Sequence, residues 1–204
     1  MSYTPKQRVH STNTSHWTFT PHLLPYVDFT SETVLITGGN TGLGLASAVH
    51  CLQNGAAHVI ITSRNMQKGE AAAQQIKRLA GDAKGTVEVW ELDLLQRSSI
   101  EAFAQRASHL PRLDRVLLNA GLAKIKFETV NGLEEMMAVG VYGTFYLFAL
   151  LMPTLRKSKS VTGRVSTVTV VSSDLHRNAA FAERGEELLL ASLNDKSKAR
   201  MLDR

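Results

Sequence analysis

The feature that most constrains the fold of this chain is a glycine-rich turn that directly follows a short apolar run. Val34, Leu35 and Ile36 form the run, and residues 37–44 then read Thr-Gly-Gly-Asn-Thr-Gly-Leu-Gly. A helical pattern of apolar residues begins just after the turn, so the stretch predicts a strand, a phosphate-binding loop and a helix. The glycine spacing alone is also compatible with an ordinary strand-to-helix turn.

Each glycine of the turn has its own physical role if the turn binds phosphate. Gly38 allows a tight exit from the strand, Gly42 lets the backbone approach a ligand, and Gly44 lets the helix pack closely on the sheet. The first turn of the helix offers N–H groups and a partial positive charge to a pyrophosphate. The turn therefore predicts a nucleotide-binding site.

Downstream of the turn, short apolar runs alternate with helical patterns as far as Ser173. Strands are predicted at residues 33–37, 57–62, 86–92, 115–119 and 164–171, and helices at residues 43–54, 67–79, 98–110 and 133–157. This alternation implies right-handed βαβ crossovers, and the nearly continuous apolar strands fit a sheet covered on both faces. We predict a doubly wound parallel α/β domain.

The two ends of the chain differ from this regular part. Residues 1–30 are polar and interrupted by prolines, so we predict an N-terminal extension, although Trp17, Phe19, Leu23, Leu24 and Tyr26 could attach it to the domain or to a neighbouring subunit. Residues 174–204 mix charges of both signs and show a short helical pattern at residues 186–193, but no further strand.

Composition narrows the class of function. The formal net charge is +5, and the basic residues are scattered, which argues against nucleic-acid binding. Seven histidines without ligand spacing and the single cysteine, Cys51, predict no metal site. No secretory signal is visible, and the longest apolar run, residues 145–153, is too short for a membrane span, so we expect a cytoplasmic protein.

Residues just past the strands are the candidates for chemistry, because ligands of doubly wound sheets bind at the carboxyl ends of the strands. Arg64 follows the second strand, 20 residues after Gly44, where an acidic residue would bind a free ribose 2′-hydroxyl. A guanidinium grips a 2′-phosphate instead, and Lys68 adds a second positive charge. We therefore predict NADP(H) rather than NAD, although both side chains could simply be solvated.

The remaining strand ends carry polar or small residues with two interpretations each. Asp93 is placed to accept a hydrogen bond from an adenine amino group, or it caps the next helix. Asn119 precedes Ala120 and Gly121, which let the backbone approach a ligand, but Asn119 could equally tie neighbouring strands together. Ser173 faces the predicted crevice, or belongs to a turn.

Taken together, these motifs resemble the short-chain dehydrogenase/reductase family. Its pattern is matched by Thr37-Gly38-xxx-Gly42-x-Gly44, Asp93, Asn119-Ala120-Gly121 and Ser172-Ser173. Residues 63–65, 131–134, 153–156 and 172–176 are similar to its retinol-dehydrogenase-like and fungal NADP-dependent branch. The resemblance runs from about residue 31 to the C-terminus and implies a three-layer, Rossmann-type NADP-binding domain at residues 31–204.

The resemblance also implies roles. Ser173 would orient the oxygen of a small alcohol or carbonyl substrate, and Asn119 would lie beside the cofactor ribose. Leu43 would supply a backbone contact to the pyrophosphate. The full set of predicted NADP(H)-binding residues is Gly38, Asn40, Thr41, Gly42, Leu43, Gly44, Arg64, Lys68, Asp93, Asn119, Ala120 and Gly121.

The chain departs from the family pattern in three places. The family's acid/base is a tyrosine four residues before a lysine, whereas the four tyrosines here (Tyr3, Tyr26, Tyr142 and Tyr146) all precede Ser173. We therefore expect a domain that is incomplete at its C-terminus and lacks the catalytic helix and last strands. Gly140 replaces an asparagine that helps to hold a proton-relay water. Residues 164–172 are longer than the branch usually shows, which suggests a bulge or a shifted register.

These departures leave alternative functions open. The first is an NADP(H)-dependent oxidoreductase, and the second is a truncated, non-catalytic remnant that binds the nucleotide. A nucleotide-sensing regulator is a third, without positive support in the sequence. Association into a homo-oligomer is compatible with all three.

Overall fold

The computed structural model describes residues 27–177, 179–199 and 201. Most of the predicted extension, residues 1–26, therefore lies outside the described residues. A parallel five-stranded sheet forms the centre, and its strands are β1 Thr33–Ile36, β2 His58–Ser63, β3 Thr86–Glu91, β4 Arg115–Leu118 and β7 Thr167–Val170. A separate hairpin pairs β5 Thr129–Val130 with β6 Leu133–Glu134.

Helices connect the strands of the central sheet. They are α1 Gly42–Gln53, α2 Met66–Ala80, α3 Arg97–Ser108, α4 Glu135–Met137, α5 Thr144–Thr162 and α6 Leu189–Leu193. A π-helical segment, Ala138–Gly143, joins α4 to α5, and short 3₁₀ turns follow β7 at Asp174–Arg177 and Ala182–Gly185.

The strand order confirms the predicted doubly wound sheet. The order is β3-β2-β1-β4-β7, and every pairing in this sheet is parallel. Because the chain runs outward from β1 to one side and then returns to the other, the direction of winding reverses between β1 and β4. Such a reversal opens a crevice at the carboxyl ends of the two strands.

Two apolar layers enclose the sheet, as expected for a three-layer α/β/α domain. Successive side chains of a strand point to opposite faces, so Leu35 packs with α3 and α5 while Ile36 packs with α1 and α2. All four residues of β1 are buried. This rigid central strand carries the glycine turn at its end.

The helix predicted at residues 133–157 differs most from the structure. Its first two residues form β6, and the helical stretch continues to Thr162 with a π-helical segment inside it. Glu134 caps the start, because its carboxylate accepts hydrogen bonds from the N–H groups of Met136 and Met137, both at 3.0 Å. The two-residue strands are too short to show the alternating pattern on which strand prediction depends.

The strand predicted at residues 164–171 is shorter in the structure, and its pairing is regular. Arg115 to Leu118 pair in step with Thr167 to Val170, so β7 carries neither the bulge nor the register shift suggested by the length of the segment. The extra residues precede the strand. β7 lies at the edge of the sheet.

One helical stretch among the described residues, Glu135–Thr162, is long and apolar enough for a membrane span by length and composition alone. The apolar run at residues 145–153 thus underestimates the length of this helix. Leu147, Leu151 and Leu155 are buried in the core of the domain. Core helices of globular proteins meet the same criterion, so the stretch is weak evidence for a membrane.

Candidate functional site

The glycine turn has a geometry that explains its residue types. Gly38 has φ +65°, and its N–H donates a hydrogen bond to Thr62 Oγ1 at 3.1 Å. A Cβ on Gly44 would lie 2.4 Å from the carbonyl oxygen of Gly38, so a side chain is excluded there. Gly42 has φ +56° and open space where a Cβ would lie. The turn is therefore closely packed at Gly44, which contacts Gly38, and open at Gly42.

The first turn of α1 presents unpaired N–H groups. The N-cap residue Thr41 is extended and its side chain makes no capping hydrogen bond. Within the described part of the chain, no oxygen accepts a hydrogen bond from the N–H of Gly42, Leu43 or Gly44, and the first paired N–H is that of Leu45. Uncapped N–H groups at a helix start favour an anion.

A cavity of about 400 Å³ opens beside this turn, at the carboxyl ends of β1 to β4. Nine of the twelve predicted cofactor-binding residues line it: Gly38, Asn40, Thr41, Arg64, Lys68, Asp93, Asn119, Ala120 and Gly121. Gly42, Leu43 and Gly44 do not line the cavity but follow Thr41 directly, and the exposed Leu43 side chain lines another groove.

Sequence reasoning missed seven residues of the cavity lining, which are Thr62, Ser63, Asn65, Leu92, Leu94, Leu122 and Val139. All of them except Val139 lie next to a predicted site residue or at the end of a strand, so their place in the sequence could have indicated that they line the cavity. Val139 belongs to the π-helical segment, which approaches the cavity because Gly143 packs on Leu94. A Cβ on Gly143 would lie 2.3 Å from the Leu94 carbonyl oxygen.

The positive end of the cavity is formed by the β2–α2 connection. Asn65 caps α2, because its Oδ1 accepts a hydrogen bond from the Lys68 N–H at 3.0 Å, and Ser63 Oγ donates to the Asn65 carbonyl at 2.8 Å. Both Arg64 and Lys68 are exposed, and neither forms an ion pair with any residue that the structure describes. Two cations without acidic partners thus border one cavity.

Asp93 holds the turn before α3, and its predicted adenine contact stays a prediction. Its Oδ1 accepts a hydrogen bond from the Leu95 N–H at 3.0 Å, and its carbonyl accepts one from Gln96 at 3.1 Å, so it fixes the turn that leads into α3. Among the described residues, Oδ2 of this cavity-lining carboxylate has no hydrogen-bond partner. One oxygen therefore serves the fold while the other remains available as an acceptor.

Asn119 ties β4 to the glycine turn. Its Nδ2 donates hydrogen bonds to the carbonyl oxygens of Thr37 and Gly38, at 3.0 and 3.3 Å. The Oγ1 atom of the buried Thr37 in turn accepts hydrogen bonds from the N–H groups of Asn119 and Ala120, at 2.9 and 3.0 Å. The strand-tie interpretation of Asn119 is thus realised, and the same contacts fix the cavity wall.

Ser173 lies apart from the cavity lining. Ser173 is exposed and lies three residues after the end of β7. The Val171 N–H donates a hydrogen bond to the Leu118 carbonyl at 3.0 Å, so the chain leaves β7 at the carboxyl end of the sheet, next to the end of β4 where Asn119 lies. Gly140, which we predicted to replace the family's asparagine, falls in the π-helical segment.

The two described tyrosines lie elsewhere. Tyr146 donates a hydrogen bond to Glu101 at 2.6 Å on the outer surface of α3 and α5, and this bond raises the pKa of Tyr146. Neither Tyr142 nor Tyr146 lines the cavity. No group of three or more His, Cys, Asp or Glu residues within the described ranges could hold a metal ion.

A doubly wound sheet with a glycine turn, an uncapped helix start and a cavity at the reversal point defines the class of dinucleotide-binding α/β domains. A family model described as short chain dehydrogenase matches residues 32–182. The chain therefore belongs to the short-chain dehydrogenase/reductase family, whose members are oxidoreductases that bind a nicotinamide cofactor. This confirms the family resemblance.

Known proteins similar to the chain include two fungal relatives. The chain is 41% identical over 186 residues to the short chain dehydrogenase FGM9 of Gibberella zeae, covering 91% of this chain and 54% of the relative. It is 39% identical over 186 residues to the short chain dehydrogenase atnD of Emericella nidulans, covering 89% of this chain and 59% of the relative. The chain thus spans between half and three fifths of these relatives.

A solved structure shares the fold. An uncharacterized protein from Mycobacterium paratuberculosis is 30% identical, with a TM-score of 0.63 over 86% of this chain and 57% of that protein.

Proposed function

We propose that this chain supplies the cofactor-binding part of an NADP(H)-dependent oxidoreductase that acts on an alcohol or carbonyl substrate. One observation carries the proposal. Within the described residues, the N–H groups of Gly42, Leu43 and Gly44 are unpaired and adjoin a cavity whose other end carries Arg64 and Lys68, neither of which has an acidic partner there. This spacing of two anion-binding ends suits a dinucleotide with a pyrophosphate and an additional ribose phosphate.

Each residue has a defined task in the proposed complex. The helix start binds the pyrophosphate, because its N–H groups and dipole favour negative charge. The Arg64 guanidinium binds the 2′-phosphate with two parallel hydrogen bonds, and Lys68 adds charge without fixed geometry. The free Oδ2 of Asp93 accepts a hydrogen bond from the adenine amino group.

When bound, a nicotinamide ring supplies or accepts a hydride at the substrate carbon. We assign Ser173 to the substrate oxygen, because it leaves the sheet beside Asn119 at the edge that carries the cavity. An alkoxide that forms there must be protonated, and a positioned acid typically contributes about 10²–10⁴-fold to such a step. The family's tyrosine and lysine have no counterpart after Ser173 in this sequence.

The second candidate, for the 204 residues taken alone, is nucleotide binding without turnover. Tyr146 does not replace the missing acid, because its hydroxyl is engaged by Glu101 away from the cavity. The two candidates separate in one assay that follows NADPH oxidation with a panel of ketones and aldehydes. Turnover that is lost in Ser173→Ala supports the oxidoreductase, whereas binding without turnover supports the second candidate.

Cofactor choice is tested by replacing Arg64 with glutamine. Hydrogen bonds to charged groups contribute roughly 1.5–3 kcal/mol, so we expect Arg64→Gln to weaken NADPH binding about 10- to 150-fold and NADH binding little. Calorimetric titration with both coenzymes measures this. Arg78→Gln, on the exposed far end of α2, makes the same change in net charge and should leave both affinities unchanged. Equal losses for NADPH and NADH in Arg64→Gln would contradict the assignment.

A further inference from the structure

Thr62, near the carboxyl end of β2, connects the two ends of the cofactor cavity. It is the second-last residue of the strand, is only 2% exposed and lines the cavity. Gly38, in the glycine turn, and Arg64, at the positive end of the cavity, are both its close neighbours. Gly38 reaches it through a hydrogen bond, and Arg64 follows it by two residues along the chain.

The hydroxyl of Thr62 holds the glycine turn from the β2 side. The paired residues of β1 and β2 end at Ile36 and Ile61. Beyond that pair, the Gly38 N–H donates a hydrogen bond to Thr62 Oγ1 at 3.1 Å. In the described structure, no other hydrogen bond joins residues 37–44 to β2. The hydrogen bonding of the turn to β2 therefore depends on one side-chain oxygen.

The β4 side of the turn is held by several hydrogen bonds instead of one. The Thr37 N–H donates to the Leu117 carbonyl at 2.9 Å, and the Asn119 amide donates to the carbonyl oxygens of Thr37 and Gly38. Loss of the Thr62 hydroxyl would therefore leave the turn attached to β4 but able to shift relative to β2.

The positive end of the cavity is built on the residues that follow Thr62. Ser63 Oγ donates to the Asn65 carbonyl at 2.8 Å and accepts a hydrogen bond from the Asn65 N–H at 3.2 Å, so the connection that carries Arg64 is closed by its own hydrogen bonds. A Cβ on Gly69 would lie 3.0 Å from Ser63 Cβ, so α2 packs closely on the same connection. The backbone of Arg64 is thus tied to the end of β2.

We propose that Thr62 is a positioning residue that sets the spacing between the pyrophosphate end and the 2′-phosphate end of the cofactor cavity. This inference rests on the proposed function, because it needs a coenzyme that occupies both ends. NADPH must span the spacing between its two anionic groups, whereas NADH has no 2′-phosphate and binds at one anionic end only. Thr62 therefore contributes to coenzyme choice through the position of the turn.

Thr62→Val tests this role, because valine keeps the branched shape of threonine and removes the oxygen. NADPH affinity should fall roughly 2- to 12-fold, which is the factor that corresponds to the net contribution of one hydrogen bond, and NADH affinity should fall less. Calorimetric titration with both coenzymes, well below the melting temperature of each variant, measures the ratio of the two affinities. Thr62→Ser keeps the oxygen and should retain the ratio of the unsubstituted chain. Equal losses for NADPH and NADH in Thr62→Val, or the same loss of the ratio in Thr62→Ser, would overturn the proposal.

A double-mutant cycle separates spacing from a general loosening of the site. In Arg64→Gln, NADPH no longer has a cation at its second phosphate, so adding Thr62→Val should weaken NADPH and NADH binding by the same factor. If Thr62→Val weakens NADPH binding equally with and without Arg64, the two residues act independently and the spacing role is wrong.

Thr86→Val is the matched control. Thr86 Oγ1 donates to the Ala57 carbonyl at 3.4 Å, and Thr86 pairs with His58 at the amino end of the same two strands, away from the cavity. The same threonine-to-valine change should leave both affinities and their ratio unchanged here. A fall in the ratio comparable to that in Thr62→Val would overturn the assignment.

The fragment 2′,5′-ADP gives an independent readout, because it carries one phosphate for each end of the cavity and no nicotinamide. The unsubstituted chain should bind it more tightly than 5′-AMP, and Thr62→Val should remove much of this preference. If the unsubstituted chain binds neither 2′,5′-ADP nor NADPH, the proposed function fails and the role of Thr62 with it. If it binds both and Thr62→Val leaves every preference intact, the role of Thr62 alone is wrong.

Discussion

Gly44→Ala is the substitution that most directly tests how the glycine turn is built. The new Cβ would lie 2.4 Å from the Gly38 carbonyl oxygen and 2.7 Å from Asn119 Nδ2, and Cβ contacts below 3.0 Å are essentially never found. The turn would have to move away from α1 by more than half an ångström, since the closer neighbour is backbone. Both hydrogen bonds of the Asn119 amide would be disturbed.

The cost follows from these contacts. Overpacking of a rigid site costs about 1–3 kcal/mol, and each of the two weakened hydrogen bonds about 0.5–1.5 kcal/mol, so we expect a loss of about 2–6 kcal/mol. At roughly 2–4 °C per kcal/mol for a domain of this size, the melting temperature should fall by about 4–24 °C. NADPH affinity should fall as well, because the N–H groups of the helix start move with the turn.

Gly140→Ala is the control for this prediction. Nothing lies within 4 Å of the position its Cβ would take, so we expect the melting temperature and the NADPH affinity to change little. Thermal unfolding followed by circular dichroism and calorimetric titration of NADPH measure both quantities. Unchanged unfolding and binding in Gly44→Ala would refute the packing argument.

Three further predictions concern buried polar groups and the single thiol. Thr37→Val removes the oxygen that accepts hydrogen bonds from the N–H groups of Asn119 and Ala120, and urea unfolding should show a loss of about 1–3 kcal/mol, because the Ala120 N–H becomes unsatisfied while the Asn119 N–H keeps its bond to the Leu117 carbonyl at 3.1 Å; a loss below about 0.5 kcal/mol would contradict this. Glu134→Gln removes the charge that caps the long helix and should cost about 0.5–2 kcal/mol in the same assay, whereas no change would show that the charge is unimportant. Burial raises the pKa of Cys51 to about 11, which disfavours the thiolate, so its alkylation rate should keep rising about tenfold per pH unit from pH 7 to 9; a plateau near pH 8.5 would contradict the raised pKa.

The sequence predicted the residues along the cavity best where a residue directly follows a predicted strand. Arg64, Asp93 and Asn119 each follow a predicted strand, and parallel strands end at the same edge of a sheet, so their convergence on one cavity could be predicted from their order alone. The alternatives for Asp93 and Asn119 could not be separated in this way. Both turned out to hold the fold through hydrogen bonds to residues that are distant in sequence or belong to an adjacent turn.

The parts that the sequence did not predict depend on packing between distant segments. The π-helical segment forms where Gly143 lies against the Leu94 carbonyl oxygen, a contact across about 50 residues that no local pattern encodes. The direction of the Leu43 side chain is a similar case, because the Leu43 backbone belongs to the start of α1 while its side chain lines a separate apolar groove beside β1, β4 and β7. In both cases the local backbone conformation depends on, or is accompanied by, a contact with residues that are distant in the sequence.

The contacts around Thr37 show why stability and cofactor binding should be coupled in this domain. Thr37 Oγ1 and Asn119 Nδ2 join β1 to β4, and the same four hydrogen bonds position Gly38 and Ala120 at the cavity wall. A substitution that loosens the strands therefore also displaces the glycine turn. Variants of Thr37 and Gly44 should consequently lose NADPH affinity in proportion to their loss of stability, whereas Arg64→Gln should lose affinity at unchanged stability, because its exposed side chain holds no other element in place.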